Sequence, residues 1–571
     1  MTVLREKTCA ALAAGVLLLP CSSRAQNWLM DGGDNIRSAW NREEHTLTRD
    51  NIKNLKLLWK VQTDVQPHAL HALMGPLVVQ NVPTPSGKKE MVYVLGASDE
   101  LYAFDTAAQK LAWTKHFTYA ALPPRQQGPP PEAAAGPVTP GAASGRPQGA
   151  AGLPATPAAA ATPPPPDPSR GSQTDPKHYN FLNPQGSTGV PAIGPEEAGG
   201  VRPIYVVDGG GVLHTLSDVT GESLRPDIKM GAVSKFALQL YNGEIIYAVY
   251  AGKTGILSTK VDGSQTVPTS TTGFGGGGGL WGRRGPVMTS DGTAWSTTGD
   301  GLVNLSNPKN LVIGNSVVGF KKSDDGKSWV VKDWYTPPNW DWLRRRDLDP
   351  NNTPTVFSWH GKEYIAASGK ECRVYLLDPQ NVGGPNHDTP LFKTPLVCNE
   401  IVDFQNAGSW GALSSWEDAK GTRWVLMPFW GPKHSQMHFP MENKPETKEG
   451  GQAAFKMVEK NGKPELEPVW VSRDMHRGEP NVVANGMIFS YGSGENSQQS
   501  WNDIGLNFDS TIRASHGEPA VIYALDAETG KELWSSGDTI KGFNHFSSIT
   551  VANGKVYLGT YDGMFYCFGL S

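Results

Sequence analysis

Four short segments combine glycine, aromatic, acidic and basic residues in patterns that could support chemistry on a bound ligand. A run of five glycines, 275–279, precedes Trp281, and glycines let a flat ring approach an indole closely. Asp300 follows Thr-Thr-Gly, and a carboxylate is a hard-oxygen ligand of the kind that Ca²⁺ prefers. Asp341 follows Pro-Pro-Asn-Trp and could accept a proton. Lys370 follows Gly369, and a cation could stabilise an oxyanion there.

Each of these residues also has an ordinary structural interpretation, which the sequence leaves open. Trp281 is one of 18 tryptophans, and Asp300 lies in a Gly-Asp-Gly turn. Lys370 could be a surface turn residue, the commonest position for a lysine. Asp341 could be an ordinary loop residue, because three further aspartates lie near it: Asp333, Asp347 and Asp349. The three arginines 344–346 are typical of a solvated turn, but they could also hold an anionic ligand.

Several other functions are excluded by composition and motifs. His434 and His438 form an H-x-x-x-H pattern without the glutamate of a zinc protease, and no G-K-S/T follows the glycine run. The sequence contains no C-x-x-C-H motif for an attached haem. A formal net charge of −4 argues against a nucleic-acid partner. No segment has the 18 or so consecutive apolar residues that a transmembrane helix needs.

The elements that carry these residues are predicted from a repeat. Tyr102-Ala-Phe-Asp105 is followed by Trp113, and Tyr523-Ala-Leu-Asp526 is followed at the same spacing by Trp534. More degenerate copies between them also combine β-rich runs with Gly-containing turns, which predicts a repeated β unit. Such a unit buries one face only and therefore needs neighbours. Without the first 25 residues and a 58-residue insertion, 488 residues remain, about 61 for each of eight units.

The two ends of the chain are predicted to complete one unit together. The last unit ends at Phe565-Tyr-Cys-Phe568 without a Trp-bearing strand, and Leu55-Lys-Leu-Leu-Trp59 supplies a strand of that kind. Closing the ring in this way removes unpaired sheet edges. The sequence therefore predicts an all-β fold, a single eight-bladed β-propeller over residues 26–571.

Residues 1–25 are predicted to be a signal peptide and not part of the fold. A basic start is followed by a short apolar run, and Ser23-Arg24-Ala25 fits a cleavage site. A lipoprotein signal with Cys21 as the lipidated residue is the alternative. Either interpretation predicts a periplasmic or secreted protein.

Two further features concern the mature chain. Residues 121–178 contain 16 Pro and 13 Ala but no Phe, Trp or Tyr, which predicts a disordered insertion. In an oxidising compartment Cys372 and Cys398 could pair and leave Cys567 free. Three buried thiols are an equally consistent interpretation.

Longer motifs resemble the quinoprotein alcohol dehydrogenase family. The residues that carry the resemblance are Met30-Asp-Gly-Gly-Asp34, Asn54-Leu-Lys-Leu-Leu-Trp59 and Ala524-Leu-Asp-Ala-Glu-Thr-Gly-Lys-Glu-Leu-Trp534. The resemblance extends over nearly all of the mature chain except the insertion. It implies an eight-bladed propeller that binds pyrroloquinoline quinone (PQQ).

The resemblance also implies roles for the residues introduced above. Trp281 would form the floor under PQQ, Lys370 would lie beside the quinone oxygens, and Trp410 would also contact the cofactor. Asp341 would be the catalytic base, and Asp300 and Asp341 would bind the metal. Leu343 occupies the position of the second aspartate of lanthanide-type enzymes, so the implied metal is Ca²⁺.

Two functions follow from these observations. The first is a PQQ-dependent dehydrogenase that oxidises an alcohol, polyol or sugar and passes electrons to a separate acceptor such as a cytochrome c or a quinone. The second is a non-catalytic propeller, a scaffold or binding module of the cell envelope. The second is favoured by a departure from the family pattern: the family's metal-binding glutamate has no counterpart after the strand around Tyr247, and Glu244, before that strand, is expected to face solvent.

Overall fold

The computed structural model describes residues 27–119, 186–249, 255–270, 273–276, 278–400, 407–495, 500–501, 506–507 and 510–570. The predicted signal peptide 1–25 and the predicted disordered insertion 121–178 lie outside the described residues. The fold is nearly all β, with 44% strand and 4% helix. The predicted fold class is therefore confirmed, and its repeated unit is a sheet of about four strands.

Eight mainly antiparallel sheets form the blades of the propeller. The strands of blades 1 to 4 are, in order, Leu77–Thr84, Gly87–Gly96, Glu100–Asp105 and Lys110–His116; Ala192–Ile193, Pro203–Val207, Val212–Ser217 and Ile228–Lys229; Gln239–Tyr241, Glu244–Ala248, Ile256–Lys260 and Thr266–Val267; Leu280–Trp281, Val287–Met288, Ala294–Thr298, Val317–Lys322 and Trp329–Tyr335. The strands of blades 5 to 8 are Thr355–Trp359, Lys362–Ser368, Val374–Leu377 and Phe392–Lys393; Ser414–Glu417, Arg423–Trp430, Met441–Glu442, Gly450–Lys460 and Lys463–Val471; Trp40–Asn41, Val482–Ala484, Met487–Gly492, Val521–Asp526 and Glu532–Ser535; Lys56–Gln62, Thr550–Ala552, Lys555–Gly559 and Met564–Gly569.

The remaining elements are short. A small sheet beside blade 4 contains Gly273–Gly276, Val303–Asn304 and Asn310–Ile313, and a hairpin contains Ser500–Trp501 and Leu506–Asn507. The α-helices are Trp340–Arg344 and Ser510–Ser515, and the 3₁₀ turns are Ile52–Asn54, Ala198–Gly200 and Gly384–Asn386. Among the described residues, no helix is long and apolar enough to cross a membrane.

The spacing that recurs in the repeat has a direct structural cause. The Asp105 carboxylate accepts hydrogen bonds from the next turn's amides, those of Ala107 at 3.0 Å and Ala108 at 2.9 Å. Asp526 plays the same role for its own turn. The glycine of the Thr-Gly pair matters because a Cβ at Gly221 would lie 2.7 Å from Trp113 of the preceding blade. The repeat motif therefore specifies both the turn inside a blade and the contact between blades.

The N-terminal strand closes the ring, as the sequence predicts. Lys56–Gln62 pairs antiparallel with Met564–Gly569 in blade 8. Trp59 is only 6% exposed, and its ring centroid lies 5.9 Å from that of Phe565. The ring of Trp59 also reaches Phe104 of blade 1, at 6.2 Å. The closing strand thus belongs to the core between the first and last blades.

Residues 28–41, which we call the axial segment, hydrogen-bond to residues of all eight blades or directly before their first strands. The first strands of several neighbouring blades contact one another, among them Thr355–Trp359 with Ser414–Glu417 and Val482–Ala484 with Thr550–Ala552. The segment's contacts with blades 1 to 8 are Trp28–Val78, Leu29–Ile193, Arg37–Leu238, Asn35–Met288, Ile36–Val356, Ser38–Ser415, Ala39–Val483 and Asn41–Val551. The motif at 30–34 therefore belongs to a segment that ties the blades together at the axis, a role that the sequence analysis did not predict.

Cys372 and Cys398 form a disulfide, with their Cα atoms 5.5 Å apart. Cys567 is a free, buried thiol in blade 8. The pairing that the sequence left open is thus the one present, and it joins the residues next to Lys370 to a segment leading into blade 6.

Candidate active site

An aromatic cleft lies where residues from most of the ring meet. Its lining includes three aromatic and three polar residues: Trp281, Trp410, Phe546, Lys235, Arg283 and Asn351. These residues lie far apart in sequence, between positions 235 and 546. A cleft with an apolar lining and a few convergent polar groups is the usual form of a small-molecule site.

The two tryptophans that the resemblance assigns to the cofactor lie together in this cleft. The ring centroids of Trp281 and Trp410 are 5.9 Å apart, with the planes at 62°. Phe546 stacks on Trp410 at 4.9 Å and an angle of 18°. The two indoles therefore form a corner in which a flat ligand could stack on one ring and meet the other at its edge.

The glycines before Trp281 allow the neighbouring loop to reach the indole. Gly278 has a φ of +101°, and a Cβ on it would overlap the carbonyl of Gly299. A Cβ on Gly299 would in turn overlap the Trp281 indole nitrogen. These close approaches place the loop that carries Asp300 directly beside the cleft, as expected for glycines at a backbone contact.

Three aspartates form an acidic cluster. Asp300, Asp347 and Asp349 each offer a carboxylate oxygen, and these oxygens lie within 4.8 Å of one another. Lys370 Nζ lies 2.5 Å from Asp347 Oδ1 and 2.8 Å from Asp349 Oδ1. The same Nζ lies 5.3 Å from the centroid of the Trp410 ring. Lys370 therefore joins the acidic cluster to the aromatic cleft.

Lys370 is not a surface turn residue, since it is only 4% exposed. Burial by itself would lower the pKa of Lys370, but Asp347, Asp349 and Asp300 raise it above its usual value. Burial raises the pKa of Asp300, and the negative charges of Asp349 and Asp347 raise it further. Burial likewise raises the pKa of Asp349, although Lys370 opposes the shift. A cation bound among the three carboxylates would oppose the raised pKa values of Asp300 and Asp349, because it stabilises their ionised forms.

The structure does not bring Asp341 into this cluster. Its side chain is 41% exposed and forms ion pairs with Arg344 at 2.9 Å and Arg345 at 2.6 Å. Hydrogen bonds from these arginines lower the pKa of Asp341. The third arginine, Arg346, lies over the Trp342 ring at 4.4 Å. The arginine run thus forms local contacts on and after a short helix.

Asp347 and Asp349, which the sequence analysis treated as loop residues, join Asp300 instead. The sequence carried one signal for them, since a single apolar residue, Leu348, separates the two aspartates. In the structure Leu348 is buried, only 1% exposed. The expectation that Glu244 faces solvent is wrong. It is partly buried in blade 3, accepts a hydrogen bond from Ser258 at 3.2 Å and pairs with Lys322. No glutamate joins an acidic cluster of this kind within the part of the chain that the structure describes.

Two cleft residues that sequence reasoning missed carry buried polar atoms with no protein partner. Neither the Nδ2 nor the Oδ1 atom of Asn351 forms a hydrogen bond, and the residue is 2% exposed. The Nε and Nη2 atoms of Arg283 also lack a partner, although its side chain is only 7% exposed. Buried polar groups in proteins are normally satisfied. These atoms therefore fit a cleft that receives a polar, acidic ligand.

Comparisons with known proteins identify the fold. No protein-family model and no curated protein sequence matches the chain. Among solved structures, a europium-containing methanol dehydrogenase aligns with a TM-score of 0.54 and 12% identity, over 95% of this chain and 98% of that one. A quinohemoprotein alcohol dehydrogenase from Comamonas testosteroni aligns with a TM-score of 0.51 and 13% identity, over 95% of this chain and 80% of that one. The likeness that the motifs predict is therefore confirmed for the eight-bladed propeller fold.

Proposed function

We propose that this protein is an exported quinoprotein dehydrogenase that binds PQQ in the aromatic cleft and oxidises an alcohol, polyol or sugar. The observation that supports the proposal most strongly is the meeting of Trp281, Trp410, Lys370 and the acidic cluster at one place. The fold is shared with dehydrogenases of alcohols, one of which contains europium. The predicted signal peptide supports a periplasmic or secreted location.

The residues of the cleft fit the chemical nature of PQQ. A flat, acidic quinone needs an aromatic surface, which Trp281 and Trp410 provide, and cationic partners, which Lys235, Arg283 and Lys370 provide. When bound, the quinone supplies the acceptor for the hydride that leaves the alcohol carbon. Electrons would then pass to a separate acceptor, such as a cytochrome c or a quinone, because the sequence has no haem motif of its own.

The acidic cluster fits a hard metal ion. Asp300 and Asp349 contribute carboxylates beside the cleft, and oxygen ligands are those that Ca²⁺ prefers. The sequence argument against a lanthanide rests on Leu343, but the cluster has two aspartates from positions 347–349. We therefore propose a metal site for Ca²⁺ or a trivalent lanthanide built from the acidic cluster, in place of the implied pair Asp300 and Asp341.

Within this cluster we assign the role of base to Asp347. Its side chain is 47% exposed, so an alcohol arriving from solvent can reach it, whereas Asp349 is 2% exposed. The ammonium of Lys370, 2.5 Å from Asp347 Oδ1, holds this carboxylate in place, where it could accept the hydroxyl proton. The assignment of Asp341 as the base remains the alternative that the sequence motif implies.

A matched pair of variants separates these assignments. Asp347→Asn and Asp341→Asn change the same group in neighbouring, similarly exposed positions. The protein is first loaded with PQQ and either Ca²⁺ or La³⁺, and binding is followed by quenching of tryptophan fluorescence. Alcohol-dependent reduction of an artificial dye then measures turnover. We expect Asp347→Asn to lower turnover by about 10²- to 10⁴-fold with little change in PQQ affinity, and Asp341→Asn to resemble wild type.

Three results would contradict the proposal in different ways. Loss of turnover in Asp341→Asn alone would indicate that Asp341, the residue implied by the motif, is the catalytic base. Metal-independent PQQ binding in both wild type and Asp349→Asn would contradict the proposed metal site. Failure of the wild-type protein to bind PQQ with either ion would leave the non-catalytic propeller as the better description.

A further inference from the structure

Arg283 has an unusual arrangement for a buried arginine. Its Nη1 atom donates to Glu479 Oε2 at 2.6 Å and to the carbonyl of Ser547 at 2.8 Å. Its Nε and Nη2 atoms, which form the other edge of the guanidinium, are buried and donate to no protein acceptor. This edge carries two parallel N–H groups, the geometry that binds a carboxylate through two hydrogen bonds.

The surroundings hold this guanidinium in place at the cleft. Its Cζ atom lies 4.9 Å from the centroid of the Phe546 ring, which itself lines the cleft. On another side Gly411 lies close to the guanidinium, since a Cβ atom added to this glycine would be 3.5 Å from Arg283 Cζ. Glu479, 1% exposed, fixes one end through the ion pair. The side chain is therefore pre-organised, and a ligand would not have to order it on binding.

Asn351, which lines the cleft with Arg283, offers a second set of buried polar atoms. The segments that carry the two residues are adjacent, because Arg284 N donates to Thr353 Oγ1 at 2.8 Å. Both amide atoms of Asn351 lack a protein partner, and the side chain lines the cleft. Lys235 adds a further positive charge to the lining. The polar groups of the cleft wall thus fit a carboxylate better than a neutral ring edge.

We propose that the Nε–Nη2 edge of Arg283, together with the amide of Asn351, binds a carboxylate of the planar ligand in the aromatic cleft. The identity of that ligand as PQQ rests on the proposed function, but the anchor itself requires only a flat aromatic carboxylate. Arg283 would then determine specificity for the free acid over its ester. This role is separate from that of the acidic cluster, which binds a cation.

The test compares PQQ with its trimethyl ester, in which all three carboxylates are masked. Affinities are measured by quenching of tryptophan fluorescence for wild type, Arg283→Lys and Asn351→Asp. The lysine keeps the charge beside Glu479 but has no two-pronged edge, and the aspartate adds a negative charge at unchanged size. We expect each variant to weaken PQQ binding about 10- to 100-fold and ester binding less than threefold.

Two controls guard against a general loss of structure. Arg477→Lys changes another buried arginine, which lies over Trp430 and bonds to main-chain carbonyls, and should leave both affinities unchanged. Unfolding midpoints verify that each variant is folded. If Arg283→Lys does not fold, Asn351→Asp still tests the anchor.

The outcomes distinguish the anchor from the proposed function. Equal weakening of PQQ and ester, or no weakening of either, would overturn the anchor while leaving PQQ binding intact. If wild type binds no PQQ, quinoline-2-carboxylate serves as a probe without a quinone. Binding of this probe that is lost in Arg283→Lys would support the anchor although the proposed function fails, and absence of binding would overturn both.

Discussion

The axial segment predicts a large and specific stability effect for Arg37. This residue is fully buried, and its guanidinium donates to the carbonyls of Asp31 at 2.5 Å and Leu238 at 2.8 Å. Arg37→Met removes two short, charge-assisted hydrogen bonds, each contributing about 1.5–3 kcal/mol. Burial lowers the pKa of Arg37 to about 10, so the substitution also relieves a desolvation cost. We expect a net loss of about 2–4 kcal/mol in the free energy of unfolding.

Equilibrium unfolding in urea, followed by tryptophan fluorescence, measures this loss from the shift in midpoint and the slope. The matched control is Arg49→Met, since Arg49 is 44% exposed and pairs with Asp526 at 2.7 Å on the surface. An exposed pair of this kind contributes less than about 1 kcal/mol. Equal effects of the two substitutions, or an effect of Arg37→Met below about 0.5 kcal/mol, would refute the view that the axial segment ties the blades together.

Two further predictions concern ring closure and pH. Trp59→Ala should lower the free energy of unfolding by about 3–5 kcal/mol, because it empties a buried site between the first and last blades; urea unfolding beside the partly buried Trp359→Ala checks this, and a smaller loss for Trp59 would contradict it. Burial by itself would lower the pKa of His214, but Asp208 and Asp227, 3.0 and 2.9 Å from its ring nitrogens, raise it above the usual value. The stabilisation from protonated His214 is therefore full below about pH 6.5 and is lost as pH rises through the raised pKa, so His214→Gln should be less stable than wild type at pH 5.5 and closer to it at pH 9. A stability difference that grows with pH would show that the ion pairs do not contribute.

The fold could be predicted from the sequence because each copy of the repeat specifies contacts within one blade or between two neighbouring blades. Asp105 caps its own turn, and Gly221 must lie against the tryptophan of the preceding blade. Each copy of the motif therefore specifies the same kinds of contact, and even the degenerate copies indicate a ring of similar blades. The closing strand at Trp59 followed from the same logic, since one unit lacked a strand and the other end of the chain had one to spare.

The candidate site could not be predicted in the same way, because its residues come from blades that are distant in sequence. Trp281, Trp410, Asp300 and Lys370 lie beside one cleft and one acidic cluster. Asp341 has the expected neighbours in sequence, yet its helix turns it towards its own arginines. Spacing along the chain cannot show which carboxylate of a loop meets a lysine more than twenty residues away.

The sequence by itself determined the architecture of this protein, its ring closure and the types of side chain available at the candidate site. The tertiary structure decided which of them meet: Asp347 and Asp349 with Lys370, Arg283 with Asn351 at the cleft wall, and the axial segment with every blade. The physical reason is that strands and turns depend on neighbours in sequence, whereas a cleft at the centre of a ring collects residues from distant blades. Their distances and burial, and hence their charge states, exist only once the ring has closed.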